Sequence, residues 1–419
     1  MSTSANVTRR DFIKASAVTA GAMAMAARSY AQVAGANDRL NLGVIGCGGI
    51  SNHHLDKMLK IYEDDNFRYL AVCDVYKKRA EKYQRKIKRE MDAPALHENY
   101  KAVLDNKDID YVLIATPEHA HHHITMDALA AGKHVYVEKP LTHTLPEALE
   151  VVAKVKETGL KLQVGVQGTA DDSYASAFTA IKEGKLGSIV QAQIDYVRNY
   201  TEDGPWRKGG SGNTDKPADL NWEAWQGPAP RHDWDPHRYY EWRCYSDYSG
   251  GIATDLFIHR LTRLIKACGL EFPDRVVGMG GIYTWDDGRD LPDSMELLAE
   301  YPAKEGITNG MTVHVLGTMA NEQKNPHCIR GTEATLFFEG EGWVIKNDAN
   351  EVIETHKKTG GEDVDPHHRN HHAAIRDASV ELNCPAEIGL YGVVACRMAN
   401  LSWFKRRMMH WDADKQEII

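Results

Sequence analysis

Between residues 39 and 167 the apolar positions come in short runs separated by stretches of helical periodicity. Residues 40–45, 69–73, 111–115, 134–137 and 162–166 have the length and composition of buried strands. Residues 76–89, 122–131 and 146–158 carry apolar side chains at helical spacing. Strand and helix in this alternation predict right-handed crossovers and a parallel sheet. Pro117 and Pro140 fall just after strands, where a chain leaving a sheet needs a stiff turn.

The pattern changes after a helix predicted over 173–183. Residues 189–198 alternate as a half-buried strand, and 201–245 are long, irregular and rich in Trp, Pro, Arg and Tyr. A stretch of that length without periodicity points to a functional loop. A helix is predicted over 251–268, then strands over 276–285, 295–301, 312–319 and 335–338, then helices over 371–382 and 390–406. The fold class is therefore α/β: a Rossmann dinucleotide-binding domain over 38–167, then an α+β domain over 168–419 with a large, mostly antiparallel open sheet. The closing helices are free to pack back on the first domain. The open face of such a sheet predicts a homodimer or homotetramer.

The first strand runs into Gly46-Cys-Gly48-Gly49-Ile50-Ser51, a Gly-x-Gly-x-x-Gly pattern with serine in the third place. A strand before it, a helix after it and Asp74 at the end of the next strand are the setting in which such a turn holds a pyrophosphate. A carboxylate at Asp74 accepts ribose hydroxyls and repels a 2′-phosphate, which favours NAD over NADP even though Lys77, Lys78 and Arg79 follow. The third strand ends in Thr116-Pro117-Glu-His119-Ala-His121-His-His123 at the ligand-binding edge of the sheet. Consecutive residues there point in different directions. One or two histidines lining a nicotinamide pocket, with the others solvated, is the expectation, and no metal is assigned.

Together with Ala131-Gly-Lys-His-Val-Tyr-Val-Glu138-Lys139-Pro140 and Gly250-Gly-Ile-Ala-Thr-Asp255-Leu-Phe-Ile-His259, these motifs resemble the Gfo/Idh/MocA oxidoreductases. The similarity runs from about Leu40 to the C-terminus and is most diffuse over 201–245. The resemblance implies that Lys139, Asp255 and His259 are catalytic. It implies too that Gly46, Gly48, Gly49, Ile50, Asp74, Thr116, Pro117, His119, His121, Glu138 and Lys139 surround the dinucleotide. Hydride removal from a secondary alcohol needs a base at the hydroxyl, which suits His259. Asp255, four residues earlier, shares its helical face and can orient the imidazole or bind a neighbouring hydroxyl. Lys139 offers positive charge as alkoxide character develops. Arg198, Tyr240, Arg243 and Tyr248 are substrate candidates, because sugar sites use aromatic faces and forked guanidinium donors. His368, in Pro366-His-His-Arg-Asn-His-His372, is a further substrate contact that the resemblance suggests.

Residues 1–31 resemble a twin-arginine signal: Thr8-Arg9-Arg10-Asp-Phe-Ile-Lys14, a weakly apolar stretch, then Ser29-Tyr-Ala31 as a small-residue cleavage site. The twin-arginine export machinery is then a partner, and the mature chain is expected in the periplasm or otherwise exported, with no integral membrane segment. That route carries folded proteins, so the dinucleotide is expected to travel tightly bound. Seven scattered cysteines without a Cys-x-x-Cys predict no disulfide framework and no thiolate zinc site. The formal charge of −9, more acidic once the basic leader is removed, argues against nucleic acid.

Three functions fit: net oxidoreduction of a sugar, polyol or glycoside; redox-neutral cleavage of a glycoside through a transient keto-sugar; or a non-catalytic NAD-binding sensor.

Overall fold

The computed structural model describes residues 38–200, 204–206 and 215–419. The predicted export leader lies outside them. Six strands, β1 (Leu40–Ile45), β2 (Phe67–Cys73), β3 (Ala95–His97), β4 (Tyr111–Ile114), β5 (His134–Glu138) and β6 (Leu162–Gly165), form a sheet in the order β3-β2-β1-β4-β5-β6. Every pairing in it is parallel. Strand order reverses between β1 and β4, so the crevice beyond their carboxyl ends is the place where such a sheet binds ligands. β4 is buried at every residue, as expected of a strand covered by helices on both faces. β3 carries no apolar run, only three half-exposed or exposed residues on the sheet edge, and hydrophobic periodicity did not predict it.

The second sheet has eleven strands. At its centre Ile189–Asn199 and Met311–Thr318 pair in parallel, while their neighbours add on antiparallel. Met311–Thr318 alternates buried and half-buried residues without a break, because one face lies under helices and the other is open. The predicted strand over 276–285 stops at Gly281. Beyond it the N–H groups of Tyr283, Thr284 and Trp285 turn inward onto the buried Asp293 carboxylate.

Two late helices pack back on the first domain. Ala386–Lys405 packs on Arg275–Gly281 and also on Leu145–Thr158 of the first domain. Gly278 permits the close approach, since a Cβ there would stand 2.1 Å from the Ala399 carbonyl oxygen. Val364–Arg376 packs on Gly49–Met58 and β6. This helix starts seven residues before the predicted 371, capped by the Asp363 carboxylate on the Val364 N–H. The helix predicted over 251–268 is two pieces, a π-helical Ile252–Phe257 and an α-helical Ile258–Cys268. Among the described residues no helix is long and apolar enough to cross a membrane.

Candidate active site

A cleft of about 1030 Å³ runs from the glycine turn to the π-helical segment. Gly46 sits at φ +92°, and a Cβ on it would lie 2.8 Å from the Ala115 backbone. Only glycine brings the turn this close to the end of β4. A Cβ on Gly48 or Gly49, by contrast, would meet nothing within 4 Å. The helix Gly49–Met58 starts there with no side-chain cap and no acid in its first turn, so its N–H groups and dipole face the cleft unfilled. Asp74 is buried at the end of β2. Its carboxylate accepts from the Cys47 N–H at 2.8 Å and the Tyr76 N–H at 2.7 Å. Burial pushes its pKa up, against the opposing pull of Arg79 and those two donors. Further along the cleft the Thr116 hydroxyl is buried without a partner among the described residues. An open cradle, a ribose-side carboxylate and an orphaned hydroxyl fit a nicotinamide dinucleotide.

Beyond Thr116, β5 delivers Glu138 and Lys139. The Lys139 ammonium donates to Asp255 Oδ1 at 2.7 Å and to the Asp255 carbonyl at 2.8 Å. Arg243, stacked at 4.1 Å over the Trp242 ring, donates from Nε to the same carboxylate oxygen at 2.9 Å. Burial opposes ionisation of Asp255, but the two cations overcome it and hold its carboxyl far below the usual carboxylate range. With Arg198 on the same wall, three cations face the two carboxylates of Asp255 and Glu138 and leave one net positive charge. His259 lies beside them, half-buried, and no hydrogen bond ties its ring to Asp255. Burial, then the Lys139 charge, hold it well below the usual histidine range, so its imidazole is neutral at physiological pH.

The expectation that Asp255 orients His259 is therefore corrected. Asp255 lies in the π-helical stretch Ile252–Phe257, where the wider turn changes which residues share a face, and its carboxylate is spent on Lys139 and Arg243.

Other sequence candidates divide by placement. Gly46, Gly48, Gly49, Ile50 and Asp74 line one end of the cleft, and Thr116, Pro117, Glu138 and Lys139 the middle. Arg198, Arg243, Asp255 and His259 line the other end, with Tyr196, Trp206 and Trp242 as aromatic walls. Tyr240 also lines the cleft, but on the Asp74 side, against Tyr239 and Trp234. Three candidates turn away from it. His119 is buried, its Nε2 bonded to the Trp225 carbonyl at 2.9 Å. His121 bridges the Pro140 and Thr116 carbonyls at 2.7 and 2.9 Å, tying the two loops together from behind. Tyr248 is wholly buried between His119 and Trp225. The histidines of this turn are thus mostly packed rather than solvated, and His123 is the one on the cleft wall.

His368 is likewise not a cleft residue. It is fully buried and stacked on Tyr136 at 4.1 Å. Its Nε2 meets His54 Nδ1 at 2.7 Å, and His54 Nε2 meets Glu138 Oε1 at 2.8 Å. Glu138 also accepts from Gln167 at 2.9 Å. Burial works against its ionisation, yet the His54 contact and the Lys139 charge hold it below the usual range. His54 and His368 thus form a chain of ring contacts that reaches Glu138 from behind the wall. Sequence reasoning missed His54, whose only signal was its place on the helix after the glycine turn.

Glu118 was missed too. Fully buried, it accepts from Ser249 Oγ at 2.6 Å, Thr254 Oγ1 at 2.7 Å and the Gly250 N–H at 3.1 Å, pinning the Thr116 turn to the segment that carries Asp255. Glu118→Ala leaves the Ser249 and Thr254 hydroxyls without this buried acceptor and is expected to cost about 2–4 kcal/mol, measured by urea unfolding.

Buried neutral histidines also make the fold acid-labile. Burial pulls His119 and His367 down to about 4 and His143 to about 3, from an ordinary 6.5. Unfolded chains bind protons at these sites below pH 6.5 and the folded protein does not, so stability is full above 6.5 and falls as pH drops toward 4. Each group costs up to about 1.4 kcal/mol per pH unit in that window. Thermal melts at stepped pH should show it, and His367→Gln should flatten the slope.

A parallel sheet with a glycine turn at its switch point, opening on a lysine, a carboxylate and a neutral histidine, defines a dinucleotide-binding oxidoreductase. The model of the oxidoreductase family's NAD-binding Rossmann fold matches residues 40–166, and that of its C-terminal alpha/beta domain matches 177–266. The chain belongs to the Gfo/Idh/MocA oxidoreductase family. A twin-arginine translocation pathway signal model matches residues 6–26.

Among curated relatives, scyllo-inositol 2-dehydrogenase (NAD(+)) of Bacillus subtilis (strain 168) is 32% identical over 165 residues, 39% of this chain and 45% of that protein. Glycosyl hydrolase family 109 protein 2 of Shewanella sp. (strain ANA-3) is 29% identical over 218 residues, 45% of this chain and 46% of that protein. The chain thus spans less than half the length of these relatives. A levoglucosan dehydrogenase in complex with NADH and L-sorbose shares the fold at TM-score 0.67 and 18% identity, covering 89% of this chain and 98% of that one.

Proposed function

We propose that this protein moves a hydride between a nicotinamide dinucleotide, NAD rather than NADP, and a secondary alcohol carbon of a sugar, polyol or glycoside. The observation that carries the reading is the meeting of Lys139 and Arg243 on the Asp255 carboxylate, at 2.7 and 2.9 Å, beside a half-buried neutral histidine. The bound dinucleotide supplies the group that takes up or returns hydride. The rest falls to the chain. His259 accepts the hydroxyl proton as the C–H bond breaks. Lys139 spends two of its three donors on Asp255 and has one left for the substrate oxygen. The positive excess on this wall stabilises alkoxide character. Tyr196, Trp206 and Trp242 offer flat faces to sugar C–H groups. Asp74 supports NAD, and the inositol and levoglucosan dehydrogenases among the relatives support a polyol or sugar substrate.

A second reading, redox-neutral glycoside cleavage, is favoured by the Shewanella relative and by the twin-arginine match. Oxidising one hydroxyl to a ketone acidifies the adjacent C–H. Loss of that proton expels the glycosidic oxygen, which leaves protonated as the aglycone alcohol; water adds across the double bond so formed, and return of the hydride restores the alcohol. An exported enzyme working this way needs no external electron acceptor. The twin-arginine match also supports a periplasmic protein. Exposed Met279, Leu298 and Val190 on the second sheet support a homo-oligomer.

The test is to incubate the cofactor-loaded protein with polyols, free sugars and aryl glycosides, without an added acceptor. A single stoichiometric rise in reduced-nicotinamide absorbance marks the dehydrogenase. Repeated aglycone release without that rise marks redox-neutral cleavage. Neither signal, with the dinucleotide bound, would make the protein a sensor.

A further inference from the structure

Residues 215–240 follow the second sheet's first strand in sequence, yet they lie across the Asp74 end of the cleft and are sewn to the chain just after β2. Tyr76 and Leu220 form an antiparallel bridge. The Asn221 N–H donates to the Val75 carbonyl at 2.9 Å and the Lys77 N–H to the Asp219 carbonyl at 3.1 Å. The Lys78 N–H adds a bond to Asp219 Oδ2 at 3.0 Å. Leu220, Trp222, Trp225 and Tyr239 are buried, so the segment is packed rather than laid on the surface. Its middle is tied down by His119 on the Trp225 carbonyl, at 2.9 Å. Arg79 stands 5.1 Å from the Tyr239 ring centre and 5.6 Å from that of Tyr76, joining the two sides of the seam through cation–π contacts. Asn221, Ala224, Trp225, Tyr239 and Tyr240 line the cleft from this segment, opposite Asp74.

We propose that residues 215–240 are a strap over the adenosine half of the dinucleotide, with Arg79 as its latch, and that the strap makes the cofactor a resident of the protein. This rests on the dinucleotide reading above. Release through this end requires the seam to part, so the departure rate is set by a local opening of the strap rather than by the ligand's contacts alone. A resident dinucleotide must regain its starting redox state on the protein.

The test follows exchange of bound NAD against excess isotopically labelled NAD by mass spectrometry, alongside amide hydrogen exchange over 215–226. For the natural protein the release half-time is expected on the order of hours, with slower amide exchange in the seam when loaded. Asn221→Pro removes the donor to Val75 and with it the side-chain cap on the Ala224 N–H, at a φ of −85° close to the proline range. Asp219→Ala removes a single side-chain bond at an exposed position and serves as the mild control for folding. Release about tenfold or more faster in Asn221→Pro, with a smaller rise in Asp219→Ala, supports the strap. Exchange within seconds in the natural protein, or variant rates equal to it, overturns the strap and leaves the dinucleotide reading intact. A protein that takes up no dinucleotide overturns both.

Discussion

Lys139→Ala is expected to lower turnover about a thousandfold while the protein still binds its dinucleotide. Both hydrogen bonds that Lys139 makes among the described residues go to Asp255 and none to the glycine turn. Its ammonium is committed to Asp255 at 2.7 Å and lies beside His259, so its loss acts on the reacting oxygen and on the base. The second effect gives the variant a signature that unfolding would not produce. After burial, the Lys139 charge is the largest influence holding His259 below its ordinary pKa. Removing the charge lets that pKa rise, so the acid limb of kcat/KM should move up toward pH 6.5, the ordinary histidine value. A profile that keeps its position in Lys139→Ala would mean that the lysine does not act on this histidine.

His259→Asn is expected to lower kcat/KM by about 10²–10⁴-fold and to abolish the acid limb. In the natural protein the histidine stays neutral from physiological pH well into the acid range, so the rate should be flat near neutrality and fall only below the ordinary histidine pKa. Because no hydrogen bond ties this ring to a neighbour among the described residues, the stability of the variant should match that of the natural protein within about 1 kcal/mol. Rate measurements across pH, with a thermal melt of the same sample, separate lost chemistry from lost fold.

What the sequence made legible was local. The glycine turn, Asp74 and the Glu138-Lys139-Pro140 run each sit at the end of one strand, and period and turn residues place a strand end with little help from elsewhere. The same logic put Asp255 and His259 close together. It then misjudged their relation, because an i, i+4 argument presumes an α-helix and this stretch is π-helical. Arg243 could be named as a cation near the substrate, but its role as the second counter-ion of Asp255 depends on a fold across 12 residues of irregular chain. Tyr240 and Tyr248 were grouped with it by sequence neighbourhood. The short turns between 222 and 248 send one to the Asp74 end and the other into the interior.

His368 shows the opposite limit. A histidine-rich helix start looks like a ligand-facing edge when only sequence is considered. Here four histidines of Val364–Arg376 are buried against the first domain, and their partners, His54, Tyr111 and Val164, lie more than two hundred residues away in the chain. No periodicity carries information over that distance. The helical strap over the Asp74 end belongs to the same category, since it is held by backbone donors and carbonyls that every sequence possesses.

The central claim is that a carbinol carbon gives its hydride to the nicotinamide held beside Lys139 and His259. The most direct measurement uses a sugar or polyol found active in the panel, deuterated at that carbon, incubated with loaded protein for a single turnover. Mass spectrometry of the bound dinucleotide should show one deuterium on the nicotinamide in the natural protein and none in Lys139→Ala. Product formed with the deuterium lost to water, and none on the nicotinamide, would contradict the claim.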